Sequence, residues 1–88
     1  MRIHVTSRFK KDVQRCQKRG YPMDRLKAVL DALETGEPLD LKWKNHSLFG
    51  NYEGTQECHS LPDWLLIYEV DEDRIYLVRT GTHADLFE

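Results

Sequence analysis

The 88-residue chain has only two cysteines, three prolines and five glycines, and no surplus of positive charge. Cys16 and Cys58 lie far apart, without the close pairs of a disulfide scaffold, so both are expected as reduced core positions. No stretch approaches the ~18 apolar residues of a membrane span, and Met1-Arg2-Ile3-His4 leads into no apolar signal segment. The expected location is the cytoplasm, with no membrane partner. A net charge of −2 argues against indiscriminate nucleic-acid binding. There is no internal repeat and no low-complexity segment. An apolar content of 40% supports a core, and the chain is expected to form one domain over residues 1–88, near the lower size limit for independent folding.

The net charge hides an asymmetry. Residues 1–30 carry nine Lys/Arg against Asp12 and Asp24, a balance of +7, whereas residues 31–88 carry four basic and thirteen acidic residues, a balance of −9. A basic lobe on an acidic body suits either a positioned contact with phosphate backbone or well-solvated helix faces.

Ile3-His4-Val5 predicts a short first strand. Ser7 is placed to cap a helix whose stripe is Phe9, Val13 and Cys16, with Gly20 at its end. After Tyr21-Pro22-Met23-Asp24, the spacing of Leu26, Val29, Leu30 and Leu33 predicts a second helix, stopped by Gly36 and Pro38 and antiparallel to the first. Residues 40–54 lack periodicity and read as an ordered loop with a short strand near Trp43. Thr55–Ser60, Trp64–Val70 and Arg74–Thr80 read as an antiparallel meander with a tight turn at Asp71-Glu72-Asp73, and Thr82–Phe87 as a last helical turn. This order predicts an α+β, compact two-layer fold, with the N-terminal strand and helical hairpin packed on an antiparallel sheet whose other face is open. Thr55, Glu57 and His59 share one strand face, and Ile75, Leu77 and Arg79 share another, so His59 and Arg79 are expected side by side on the open face.

Two stretches gather the reactive side chains. Residues 42–64 hold two of the four histidines, both tryptophans and Asp63 behind Pro62; residues 79–87 read Arg-Thr-Gly-Thr-His-Ala-Asp-Leu-Phe. Transesterification of RNA needs a base for the 2′-hydroxyl, an acid for the departing 5′-oxygen and positive charge on the phosphate. Imidazole suits both proton transfers because its ordinary pKa of ~6.5 lies near working pH. His46, His59 and His83, with Asp63, would supply acid and base, their assignment open. Arg79 would grip the phosphate with its planar fork, and Trp64 or Phe87 would stack on a base. Each also has a plainer reading: surface histidines, a turn aspartate, core tryptophans and a salt-bridged edge arginine. Cys58, His59, Asp63 and His83 form a conceivable zinc set, but no spacing matches a known zinc motif. No metal and no cofactor is expected.

At His46-Ser47-Leu48-Phe49-Gly50, Glu57-Cys58-His59, Pro62-Asp63-Trp64-Leu65-Leu66-Ile67-Tyr68 and Arg79–Phe87, the chain resembles the YafQ family, RelE-superfamily toxins of bacterial type II toxin–antitoxin modules. The resemblance implies a RelE-like fold and an endonuclease acting on mRNA in the ribosomal A site. It also implies inhibition by a cognate antitoxin whose C-terminal segment wraps the toxin. By matching position it places catalytic residues at His46, His59, Asp63 and His83, the phosphate-binding arginine at Arg79, and aromatic contacts at Trp64 and Phe87.

Two departures from the family pattern matter. Many relatives carry an arginine where this chain has Gln56, and members are usually basic. If the protein works on ribosomes, the basic lobe, with Lys10, Lys11 and Arg15, is the surface expected to face rRNA. The departures favour an alternative: an attenuated toxin-fold protein acting mainly as an antitoxin-binding transcriptional co-repressor. A relative directed at DNA gyrase is disfavoured, because such toxins lack the histidine-rich site. A ribosome-independent ribonuclease is a further reading.

Overall fold

A computed structural model describes residues 1–88. The chain runs β1 (Arg2–Val5), α1 (Ser7–Lys18), α2 (Met23–Thr35), β2 (His46–Ser47), β3 (Gln56–Leu61), β4 (Trp64–Asp71), β5 (Arg74–Gly81) and α3 (His83–Phe87), with 3-10 turns at Leu41–Trp43 and Gly50–Tyr52. The strands form one sheet in the order β1-β5-β4-β3-β2. β1 enters at the edge, parallel to β5 with Ile3 opposite Ile75, so the sheet is mixed and not purely antiparallel. The α+β class stands. No helix is long and apolar enough to cross a membrane.

The helix cap lies one residue earlier than expected. Thr6 is the N-cap of α1: its Oγ1 accepts from the Phe9 N–H at 3.1 Å while its hydroxyl donates to the Leu77 carbonyl at 2.8 Å. One threonine therefore starts the helix and ties it to β5. α2 ends at Gly36, whose φ of 76° is the left-handed conformation that favours glycine. The loop strand lies at His46–Ser47, not near Trp43, because Trp43 sits in the 3-10 turn that Asp40 caps.

The main core lies between the helices and one sheet face. Phe9 and Cys16 from α1 and Leu26, Val29 and Leu33 from α2 meet Cys58, Trp64, Leu66, Tyr68, Ile75 and Leu77. Burial of each large aliphatic side chain stabilises by roughly 1.5–3 kcal/mol. The opposite face is only partly open. Leu65, Ile67 and Leu86 form a second cluster there with Leu48, Tyr52 and Val78, so α3 and the 48–52 segment cover part of it.

Two bulges interrupt the register. Ser60 is extra where His59 faces Leu65 and Leu61 faces Trp64, and Val78 is extra where Leu77 faces Tyr68 and Arg79 faces Ile67. Bulges re-aim the side chains beside them. The second one removes Arg79 from the face shared by Ile75 and Leu77, which a simple alternation could not anticipate.

Candidate active site

On β3, Cys58 points into the main core while Glu57 and His59 point to the opposite face. β2 places His46 directly across from Glu57. The Glu57 carboxylate is buried, at 4% exposure, and stands between two imidazoles: its Oε1 lies 3.2 Å from His59 Nε2 and 3.5 Å from His46 Nε2. Their other nitrogens are held by backbone. His46 Nδ1 lies 2.9 Å from the Lys44 carbonyl, and His59 Nδ1 lies 3.2 Å from the Pro62 carbonyl. A carbonyl only accepts, so each Nδ1 carries the proton in these contacts.

The third histidine comes from α3. Thr82 caps this helix reciprocally with Asp85: Asp85 N–H donates to Thr82 Oγ1 at 3.1 Å, and Thr82 N–H donates to Asp85 Oδ2 at 2.9 Å. The first helical residue, His83, donates its backbone N–H to Asp63 Oδ1 at 3.0 Å, and its ring Nδ1 lies 2.6 Å from the same oxygen. These contacts, the backbone N–H first, hold the Asp63 carboxyl below its ordinary range. With Nδ1 committed to Asp63, the Nε2 of His83 is the nitrogen left to act.

The three rings form a row. His46 and His59 centroids are 6.1 Å apart, His59 and His83 6.0 Å, and Phe87 continues the row 6.3 Å beyond His83. Phe87 is 46% exposed and rests edge-on against Tyr52 at 5.5 Å. His46, His59, Asp63, His83 and Phe87 thus share one surface.

Two anticipated residues do not join it as expected. Trp64 is 1% exposed and packs edge-on against Tyr21 at 5.1 Å on the helix side, so its ring is not available to stack on a base. As the first residue of a doubly covered strand, it fills the main core. Arg79 does not lie beside His59, because β4 runs between β3 and β5. It is buried, and its Nε and Nη2 donate to Asp12 at 2.7 and 3.2 Å. Asp12 also accepts from the Thr80 N–H at 3.1 Å, so α1 closes the edge of β5 beyond the reach of β1.

Gln56 likewise faces away. Its Oε1 accepts from Asn45 Nδ2 at 2.9 Å and from the Tyr68 hydroxyl at 3.2 Å, so the missing cation of this position is not missing from the histidine row. The four-residue zinc set does not assemble either, since Cys58 lies in the core, its thiol pushed up to about 12 by burial. The group able to hold a cation is His46, Glu57 and His59, whose ligand atoms lie within 4.8 Å of one another. Glu57 escapes a sequence reading because an acidic residue in a polar strand suggests a solvated face. Its alternation with His59 is the signal that points to it.

The family model described as the bacterial toxin of type II toxin-antitoxin system, YafQ, matches residues 1–88. The mRNA interferase toxin YafQ of Escherichia coli K12 is 38% identical over 86 residues, covering 97% of this chain and 94% of its own. The YafQ chain of the E. coli DinJ-YafQ complex superposes with a TM-score of 0.91 at 37% identity over the whole of both chains. A metal-bound toxin from Helicobacter pylori superposes with a TM-score of 0.90 at 37% identity, over 99% of each chain. The chain belongs to the YafQ family of bacterial toxins of type II toxin–antitoxin systems.

Proposed function

We propose that this protein is an mRNA interferase, the toxin of a type II toxin–antitoxin pair, which cuts message by metal-free acid–base transesterification. The observation that carries the reading is the row of three imidazoles, one of them oriented by Asp63 at 2.6 Å. His83, its Nδ1–H directed at Asp63, offers Nε2 as the base that takes the 2′-hydroxyl proton. His59 has acceptors beside both ring nitrogens, which suits a ring carrying two protons. It acts as the acid that protonates the departing 5′-oxygen, leaving a 2′,3′-cyclic phosphate. Glu57 orients His46 and His59 and balances the charge of either. Arg79, already paired to Asp12, is the cation assigned to the phosphate, and Phe87 supplies the stacking surface. Trp64 acts as a core residue behind Asp63.

The message is cut in the ribosomal A site, where the decoding machinery presents single-stranded RNA. Arg15 and Arg19 are tied to carboxylates, so Arg8, Lys10, Lys11 and Lys18 are the cations of α1 left to meet rRNA. A cognate antitoxin inhibits the toxin, as the complex of the E. coli relative with DinJ suggests. The attenuated-toxin reading loses one of its two supports, because the Gln56 side chain turns away from the histidine row toward Asn45 and Tyr68. The test is primer extension on a defined message with purified protein, with and without ribosomes, beside His59→Ala. In-frame cuts that need ribosomes and vanish in the variant are expected. An intact message in all lanes would overturn the assignment.

A further inference from the structure

We propose that the cleft between α2, the Leu41–Trp43 turn and the outer edge of β3 is a second phosphate subsite, taking the RNA backbone phosphate next to the one being cut. The proposal rests on the endoribonuclease reading above. The cleft has a volume of about 220 Å3 and is lined by Arg25, Ala28, Lys42, Trp43, His59 and Ser60. Two cations face it and no carboxylate does. Arg15, Arg19 and Lys27 are each tied to an aspartate, whereas neither Arg25 nor Lys42 has an acidic partner. Lys42 Nζ instead sits 5.1 Å from the centre of the Trp43 ring, a cation–π contact that holds the ammonium at the cleft wall.

Ser60 supplies the second line of support. Bulged out of register with β4, it has a buried Oγ with no hydrogen-bond partner. A buried hydroxyl without a partner is unfavourable, and Ser60 lines the cleft, so its hydroxyl is the donor we assign to an oxyanion entering there. His59 is the shared wall, with the histidine row on one side and this cleft on the other. The volume is below the ~300 Å3 at which pockets begin to enclose whole small molecules, which suits a phosphate better than a base.

The probe is a fully 2′-O-methylated RNA oligonucleotide, which lacks the attacking hydroxyl and is bound without being cut. Its affinity is followed by fluorescence anisotropy across a salt series. Arg25→Ala/Lys42→Ala is compared with wild type and with Arg2→Ala/Arg74→Ala, a pair at the opposite edge of the sheet. Each phosphate contact on a single strand contributes a slope of about 0.7 in log K against log salt, so the cleft variant, losing one such contact, is expected to lose about 0.7 in slope and several-fold in affinity. An unchanged slope, or an equal loss in the far-edge variant, would overturn the subsite. Cleft-dependent binding by a wild-type protein that cuts no message supports the subsite and defeats the endoribonuclease reading. A cleft variant that binds and cuts like wild type does the reverse.

Discussion

Arg19 holds Asp85 through two hydrogen bonds, of 2.6 and 3.1 Å, across 66 positions of sequence. Asp85 is also the reciprocal cap of α3, and Arg15 approaches it to 3.6 Å. A helix of five residues is too short to persist unaided, yet this one presents His83 and Phe87. The last turn of α1 therefore fixes the segment that completes the histidine row. Gly81 is part of this fit, since a Cβ there would stand 2.8 Å from Arg15 Nη2 and 2.9 Å from Asp85.

Asp85→Asn is expected to lower Tm by several degrees at neutral pH, to speed amide exchange in 83–87 and to cut cleavage at least tenfold. The Arg19 guanidinium, foremost, holds the Asp85 carboxyl well below the usual carboxylate range. A carboxylate of this kind contributes fully above its ordinary value of ~3.9, and the contribution is lost as pH falls through its lower folded value. The Tm gap between wild type and variant should therefore close on strong acidification. A gap independent of pH would show that the charge of Asp85 is not what holds α3.

The acid and base can be separated with a substrate whose leaving oxygen is replaced by sulfur. A 5′-thiolate departs without a proton, so such an RNA should restore cleavage by His59→Ala and not by His83→Ala. Rescue of His83→Ala alone would reverse the assignment.

Removing Asp12 strands Arg79 in a buried site. Breaking a buried pair at one partner costs about 3–5 kcal/mol, and at ~4–8 °C per kcal/mol for a domain of this size Asp12→Ala should lower Tm by roughly 12 °C or more. Asp12→Leu/Arg79→Met should recover much of that loss in thermal melts. Single and double variants of equal stability would show that the pair is not coupled.

Chelation and metal addition should act in opposite senses. EDTA is expected to leave cleavage unchanged, whereas Zn2+ or Cu2+ should inhibit by occupying His46, Glu57 and His59. Glu57→Gln should weaken that inhibition. Loss of activity in EDTA, restored by Zn2+, would contradict metal-free chemistry.

The apolar run of β4, the stripe of α2 and the alternation that sets Glu57 and His59 apart from Cys58 are all legible in the sequence, because each follows from local periodicity. The bulges at Ser60 and Val78 are not, since they depend on where a partner strand happens to pair. The bulge at Val78 turns Arg79 to the face of Ile67, and the intervening strand β4 is what keeps it from lying beside His59. Trp64 illustrates a second limit: beside Asp63 in sequence, it lies on the other side of the sheet, and an aromatic residue in an apolar run gives no sign of which layer it fills. Asp12 reads as a charged surface position, and its burial becomes intelligible only once α1 is seen to close the edge of β5.

The parallel pairing of residues 2–5 with residues 74–77 has a kinetic consequence. The first strand has no partner until the β4–β5 hairpin exists, and the helices that follow it have no sheet to cover before then. Contacts so distant in sequence slow folding, so a chain still being synthesised would hold its first two helices as half-exposed amphipathic segments. In that interval proteases and chaperones have access to apolar segments that the folded protein buries.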